Sequence, residues 1–285
     1  MSSAEKIDAL LSRMGELPTI RSVARTIGMA VNNPNTSAAD IAAVIGYDQV
    51  LSAKVLQVVN SAYFGFSRRV ADIRHAVALL GLDDVRRLVL AVAVIDLASD
   101  GKSRGIDVRA YWKHSIATAA SATAIARVLL PAVSNDAFIA GLLHDIGKLV
   151  LMVHHPEEFC KVVALVEKHG CNMIEAEREV FEFHHAMVGA ALCQRWGFPP
   201  ILADAVRYHH APMSCDRGWQ LPAVVGMGDT VAYATLVGSG GNVRLPPCNE
   251  AVVKALGLKA NNIERIFSET FIEIKKAEVF FEMID

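Results

Sequence analysis

The sequence predicts an all-α protein, and three observations carry that prediction. Apolar residues recur at helical spacing along almost the whole 285-residue chain. No convincing apolar–polar alternation of a half-buried strand accompanies them. The apolar content is 53%, with a mean hydropathy of +0.32, and much of it is Ala, Val and Leu, which suits tightly packed helices. The length allows a sizeable core in one large domain or two modest ones.

The first fourteen residues, MSSAEKIDALLSRM, are charged and amphipathic, without the apolar region or cleavage site of a secretory signal. Pro18 marks the start of a helix to about Val31. Residues 32–37 (NNPNTS) read as a loop whose Thr36 and Ser37 are N-caps for SAADIAAVIG, ending near Gly46. Asp48 caps DQVLSAKVLQVVNSAYF, where Leu51, Val55, Leu56, Val58 and Val59 form an apolar face. Residues 65–70 are a loop, and the helices IRHAVALL and DDVRRLVLAVAVIDLA are separated by Gly81. Small and polar residues at 99–105 (SDGKSRG) mark a boundary between an N-terminal helical subdomain, 1–105, and a helical core with C-terminal helices, 106–285. Beyond it the pattern predicts helices over 108–130, 135–153, 156–169, 174–183, 185–196, 199–209 and 222–237. The loop GSGGNVRLPPCN follows, then helices over 250–256 and 261–283.

Composition excludes several function classes. Cys160, Cys171, Cys193, Cys215 and Cys248 show no CxxC spacing, which fits reduced thiols better than a disulfide framework or a thiolate zinc site. A formal net charge of −2 provides no global basic field for nucleic acid. The local cluster Arg68, Arg69, Arg74, Arg86 and Arg87 is interleaved with Asp72, Asp83 and Asp84 and reads as a solvated helical face. The longest membrane-like run, residues 88–97, contains Asp96 and is too short to span a bilayer. A cytoplasmic location without membrane contact is expected.

The chemistry concentrates in NDAFIAGLLHDIGKLVLMV, residues 135–153. Nearly every position around His144 and Asp145 is apolar or small, so the carboxylate must have a partner. Lys148 lies four residues after His144 and three after Asp145, able to answer the carboxylate or a bound phosphate. His114, His184, His185, His209, His210 and Asp229 are further polar groups in apolar helices. Imidazoles and carboxylates converging from several helices can bind a divalent ion: iron, manganese, zinc or magnesium rather than calcium. Such a cluster can also satisfy itself by internal ion pairs and water. Hydrolysis would further require an open coordination position and a cleft.

GLLHDIGKLVL resembles the signature helix of the HD-domain phosphohydrolases, all-helical enzymes that bind metal through His and Asp and cleave phosphate esters. The more specific resemblance is to the HDOD family, the HD-related output domains of bacterial signalling proteins. It runs through LPTI, YDQVLSAKVLQVVNSAYFG, AVALLGLDDVRRLVL, YWKHS, HAMVGAALCQRWGFPP and the pair His209–His210. The resemblance implies a multi-helical HD-like fold with an N-terminal helical portion and a role in signal transduction, generally without demonstrated phosphohydrolase activity. The similar HD-GYP phosphodiesterases, which cleave cyclic di-GMP, use a ligand order that His114, His144, Asp145, His185, His209, His210 and Asp229 match in type. Their GYP motif is missing, since YHHAPMSCDRGW stands in its place.

Three functions follow, in order of support. The first is a regulatory module that acts through protein contacts without catalysis. Its partners would be separate receiver or diguanylate-cyclase proteins, or a second copy of the chain. The second is a metal-dependent phosphohydrolase using the seven ligand positions, with Lys148 as a catalytic contact to phosphate. The third is a nucleic-acid-binding regulator, resting on the arginines between 68 and 87 and a helix-turn-helix around Gly81.

Overall fold

The computed structural model describes residues 2–13, 49–61, 64–81 and 105–282, with single positions at 45, 85, 88, 89 and 92. The helix expected over 18–31, the loop and caps at 32–37, the Asp48 cap, Arg86, Arg87 and most of the boundary at 99–105 lie outside the described residues. Among the described residues there are helices and no strands. The fold is all-α.

The N-terminal elements are α1 (Ser3–Arg13), α2 (Gln49–Val59) and α3 (Ile73–Leu80). Helix α2 ends five residues before the expected point, where the Asn60 side chain ties the last turn, through the Leu56 carbonyl, to the loop at Val70. The Asn60 amide donates to the Val70 carbonyl at 2.9 Å, and its oxygen accepts the Val70 N–H at 2.7 Å. Asp72 caps α3 by accepting the N–H of His75 at 2.8 Å.

The centre of the protein is α4 (Val108–Leu129), capped by Asp107, which accepts the N–H groups of Arg109 and Ala110. Every residue from His114 to Ala126 is buried. Their sequence, HSIATAASATAIA, is mostly small, which lets neighbouring helices approach the α4 backbone on several sides. Those neighbours are α5 (Ser134–Leu143), α11 (Gln220–Thr235) and α13 (Ala260–Lys276). Buried Glu273 fastens α13 to α4 by accepting from Arg127, and Lys276 of its own helix donates to the same oxygen at 2.8 Å. A break at Ala277 then sends α14 (Glu278–Glu282) against α2 and α4.

Between α5 and α11 lie α6 (Ile146–His154), α7 (Pro156–His169), α8 (Met173–Phe181), α9 (His185–Arg195) and α10 (Pro200–Tyr208). The short α12 (Glu250–Ala255) follows the long loop after α11. Helix α1 packs on α9, and its Lys6 pairs with Glu182 at 2.8 Å. The stretch Pro131–His154 is long and apolar enough by composition to cross a bilayer, but most of it is buried inside the protein.

One departure from the periodicity matters for function. The single helix expected over 135–153 is two helices, α5 and α6, separated at His144 and Asp145.

Candidate metal centre

Asp145 occupies the junction with φ −102° and ψ 8°, the sparsely populated bridge region in which many active-site residues sit. An aspartate at a helix start ordinarily caps it through its carboxylate. Asp145 makes no such bond; only its backbone carbonyl serves the helix, accepting the Lys148 N–H at 2.8 Å. The carboxylate is thereby free to turn inward. Two close backbone approaches bring the remaining helices to it. A Cβ at Gly147 would lie 2.0 Å from the His185 carbonyl oxygen, so only glycine lets α6 and the start of α9 meet there. A Cβ at Gly226 would lie 2.1 Å from the His209 carbonyl oxygen, the equivalent contact between α11 and the end of α10. Asp229, one turn after Gly226, is delivered to the same place.

All seven expected ligand positions converge. The ligand atoms of Asp145, His185, His209 and His210 lie within 4.8 Å of one another, as do those of His114, His144 and Asp229. Asp145 adjoins both groups. Its Oδ1 faces His185 Nε2 at 3.0 Å and His209 Nε2 at 3.9 Å, while its Oδ2 faces His144 Nε2 at 3.2 Å. Asp229 Oδ1 is 2.9 Å from His114 Nε2 and 3.7 Å from His144 Nε2. His185 Nε2 and His210 Nε2 are 3.1 Å apart. Ligand atoms held about 2.1 Å from one ion stand roughly 3.0–3.4 Å from each other, so the shorter separations have the size of coordination-sphere edges.

The direction of the nitrogens agrees with ligation. His144 Nδ1 donates to the Gly141 carbonyl at 2.7 Å, and His209 Nδ1 donates to the Val206 carbonyl at 2.7 Å. A carbonyl can only accept, so these Nδ1 atoms carry protons and each Nε2 is the ring nitrogen that faces the centre. Nε2 of His144 and of His209, and Oδ1 of Asp145 and of Asp229, are buried without an aligned hydrogen bond, while His185 Nε2 and His114 Nε2 lie at ion-pair distance from the two carboxylate oxygens. Buried polar atoms gathered in this way favour a cation among them.

Asp145, Glu177 and Asp229 are buried carboxylates set among one buried ammonium, Lys148, and the surrounding imidazoles. Burial would raise the Asp145 carboxyl, yet His144, Lys148 and His185 hold it well below the usual carboxylate range. Asp229 is likewise lowered, with His114 and His144 overcoming burial. His185 lies between Asp145 and Glu177, whose charges outweigh burial and push it up to about 9. His209 is driven down to about 3 by burial and by the neighbouring His144. The donor set, His nitrogen with carboxylate oxygen, fits a divalent metal ion.

Lys148, expected to meet phosphate, has its Nζ 2.6 Å from Asp145 Oδ2 and 2.8 Å from the Gly240 carbonyl. His184 stands beside the centre rather than in it, half-buried on the wall of an adjoining cleft. That cleft, about 500 Å³, reaches His209, His210 and Asp229 and carries Arg178 and Arg207 on its wall.

Sequence reasoning missed three participants. Glu177, wholly buried, accepts from His185 Nδ1 at 2.6 Å; its trace in the sequence is an acid on the apolar stripe Met173, Ala176, Phe181 of α8. Gly240 lies in the long loop after α11, where nothing local signals a contact with Lys148. Tyr233, whose ring centroid is 4.6 Å from that of His114, reads in the sequence as core.

The chain matches the HDOD domain family over residues 17–212. An HDOD domain protein of unknown function from Geobacter sulfurreducens is 26% identical and superimposes with a TM-score of 0.72, covering 99% of this chain and 97% of that one. A protein from Shewanella amazonensis named as a candidate phosphohydrolase is 25% identical, with a TM-score of 0.76 and coverage of 97% and 98%. An uncharacterized protein of Treponema pallidum is 29% identical over 206 residues, which are 71% of this chain; the chain spans 39% of that relative's length.

Proposed function

The chain belongs to the HDOD family, and we propose that within it this protein is a signal-transduction module built around a buried divalent-metal centre. The observation that carries the metal is the convergence of seven imidazole and carboxylate groups into two adjoining sets, the ligand atoms within each set lying within 4.8 Å of one another. Asp145, His185, His209 and His210 would hold one ion, and His114, His144 and Asp229 offer a second, adjoining set. Nitrogen-rich sets of this kind favour manganese, iron or zinc. The regulatory role is supported by the breadth of the family match and by the absence of the GYP motif. Output would pass to other signalling proteins through the helical surface.

The decisive experiment is metal analysis of protein purified without chelators, beside Asp145→Ala and His185→Ala variants. Stoichiometric metal in the wild type, lost in both variants, is expected. A wild type that carries no transition metal and binds neither Mn²⁺ nor Zn²⁺ would refute the centre.

A second reading, a metal-dependent phosphohydrolase, is favoured by the cleft that reaches His209, His210 and Asp229. A bound ion there would supply Lewis acidity and a water of lowered pKa. This chain's own contribution would be to seat an anionic ester beside Arg178 and Arg207 and to hold Asp145 ionised through Lys148. Mn²⁺-dependent hydrolysis of bis(p-nitrophenyl) phosphate, abolished by Asp145→Ala, would establish this reading; no turnover by metal-loaded protein would leave the regulatory one.

A further inference from the structure

We infer that Glu177 is a positioning residue dedicated to His185, fixing the ring so that Nε2 addresses the metal centre. The inference rests on the metal-binding reading above. Oε2 of Glu177 accepts two bonds from the same residue, the backbone N–H of His185 at 2.8 Å and its ring Nδ1 at 2.6 Å. The other oxygen, Oε1, is buried without a hydrogen-bond partner. Among the described residues, the whole hydrogen bonding of this fully buried carboxylate therefore goes to His185. A carboxylate kept only for packing or capping would cost more than it returns, because one oxygen is desolvated for nothing.

The two bonds define the ring's position from both ends. The backbone bond fixes the first residue of α9, and the Nδ1 bond fixes rotation about the side chain. With Nδ1 held on Glu177, Nε2 is placed 3.0 Å from Asp145 Oδ1 and 3.1 Å from His210 Nε2. His144 and His209 are fixed differently, each by a carbonyl three residues earlier in its own helix turn. His185 opens its helix at the first position and has no earlier turn to supply such a carbonyl. An acceptor from another element is required, and α8 supplies it. Being ionic, it also strengthens the ligand's donation, as outer carboxylates do for metal-bound imidazoles.

The test uses full-length wild type, Glu177→Gln and Glu177→Ala, each with ¹⁵N-labelled histidine. Imidazole NMR of the metal-free proteins reads the Nδ1 proton of His185 directly, and calorimetric titration with Mn²⁺ and Zn²⁺ reads affinity. The wild type should show a protected Nδ1 proton that is lost in Glu177→Ala. Metal affinity should fall about 10–100-fold in Glu177→Ala, and less in Glu177→Gln, whose amide oxygen can still accept. A His185 Nδ1 signal indifferent to Glu177→Ala, or affinities within twofold of wild type, would overturn the inference. If Glu177→Ala does not fold, the near-isosteric Glu177→Gln decides by the same two readings. If wild type binds neither ion, the metal-binding reading fails, while the NMR arm still decides whether Glu177 sets the ring.

Discussion

Gly147 and His185 meet backbone to backbone: a Cβ on residue 147 would sit 2.0 Å from the His185 carbonyl oxygen. That contact sets the spacing between the helix that follows Asp145 and the helix that begins with His185. Gly147→Ala should therefore push α6 and α9 apart and open the 3.0 Å separation of Asp145 Oδ1 from His185 Nε2. Overpacking of this kind costs about 1–3 kcal/mol. Thermal unfolding should register that loss, and Mn²⁺ titration should register weakened binding in the fraction that remains folded. A variant with wild-type stability and affinity would show that the contact does not set the site.

The Asp145–Lys148 pair should behave as a buried unit. Its ends are 2.6 Å apart and both are almost fully buried. Asp145→Ala strands the ammonium on the Gly240 carbonyl alone, and removal of one partner from such a pair costs about 3–5 kcal/mol. Adding Lys148→Met to Asp145→Ala should recover a substantial part of that loss, because no unpaired charge is left behind. Chemical denaturation of the two single variants and the double variant forms the cycle. Strict additivity would refute a coupled pair.

Metal-free protein should lose stability on both sides of neutrality, for different residues. The folded value of His209, about 3, lies below the unfolded value near 6.5. The unfolded chain therefore takes up the proton first, and stability falls as the pH drops from about 6.5 towards 3. For His185 the folded value, about 9, lies above the unfolded one. Its contribution is complete below about 6.5 and disappears as the pH rises through 9. Melting curves of chelator-treated protein between pH 5 and 9 test both arms. His209→Gln should flatten the acid arm, and His185→Gln the alkaline one.

Added metal should stabilise the folded chain. An ion that binds only the native state at a hundred times its dissociation constant contributes about 2.7 kcal/mol. For a protein of this size the melting temperature should rise by roughly 4–5 °C. His144→Ala and Asp229→Ala should diminish that rise, whereas His184→Ala, on the cleft wall outside both ligand groups, should leave it intact. Calorimetric melts with and without Mn²⁺ read the difference.

The helices were largely legible because their signals are local. The helices expected over 108–130 and 156–169 form within a residue of those bounds. Boundaries failed where a side chain found a distant partner. Helix α2 stops at Val59, where Asn60 bonds Val70, ten residues away. The break at His144–Asp145 is invisible to periodicity, since the apolar pattern runs through it and the backbone departs from helix at Asp145 itself.

By itself the sequence determined the all-helical class, the family resemblance and the chemical types of the seven residues that cluster. Each of these is written in short-range spacing or in residue identity. Only the tertiary structure decided that those residues meet, that Asp145 turns Oδ2 to Lys148 and His144 and Oδ1 to His185 and His209, and that Glu177 and the Gly240 carbonyl complete the cluster. The physical reason is distance along the chain. His114 and Asp229 touch at 2.9 Å across more than a hundred residues, and helix packing through Gly147 and Gly226 closes that gap. Burial then leaves a carboxylate no partner but the groups folding has placed beside it.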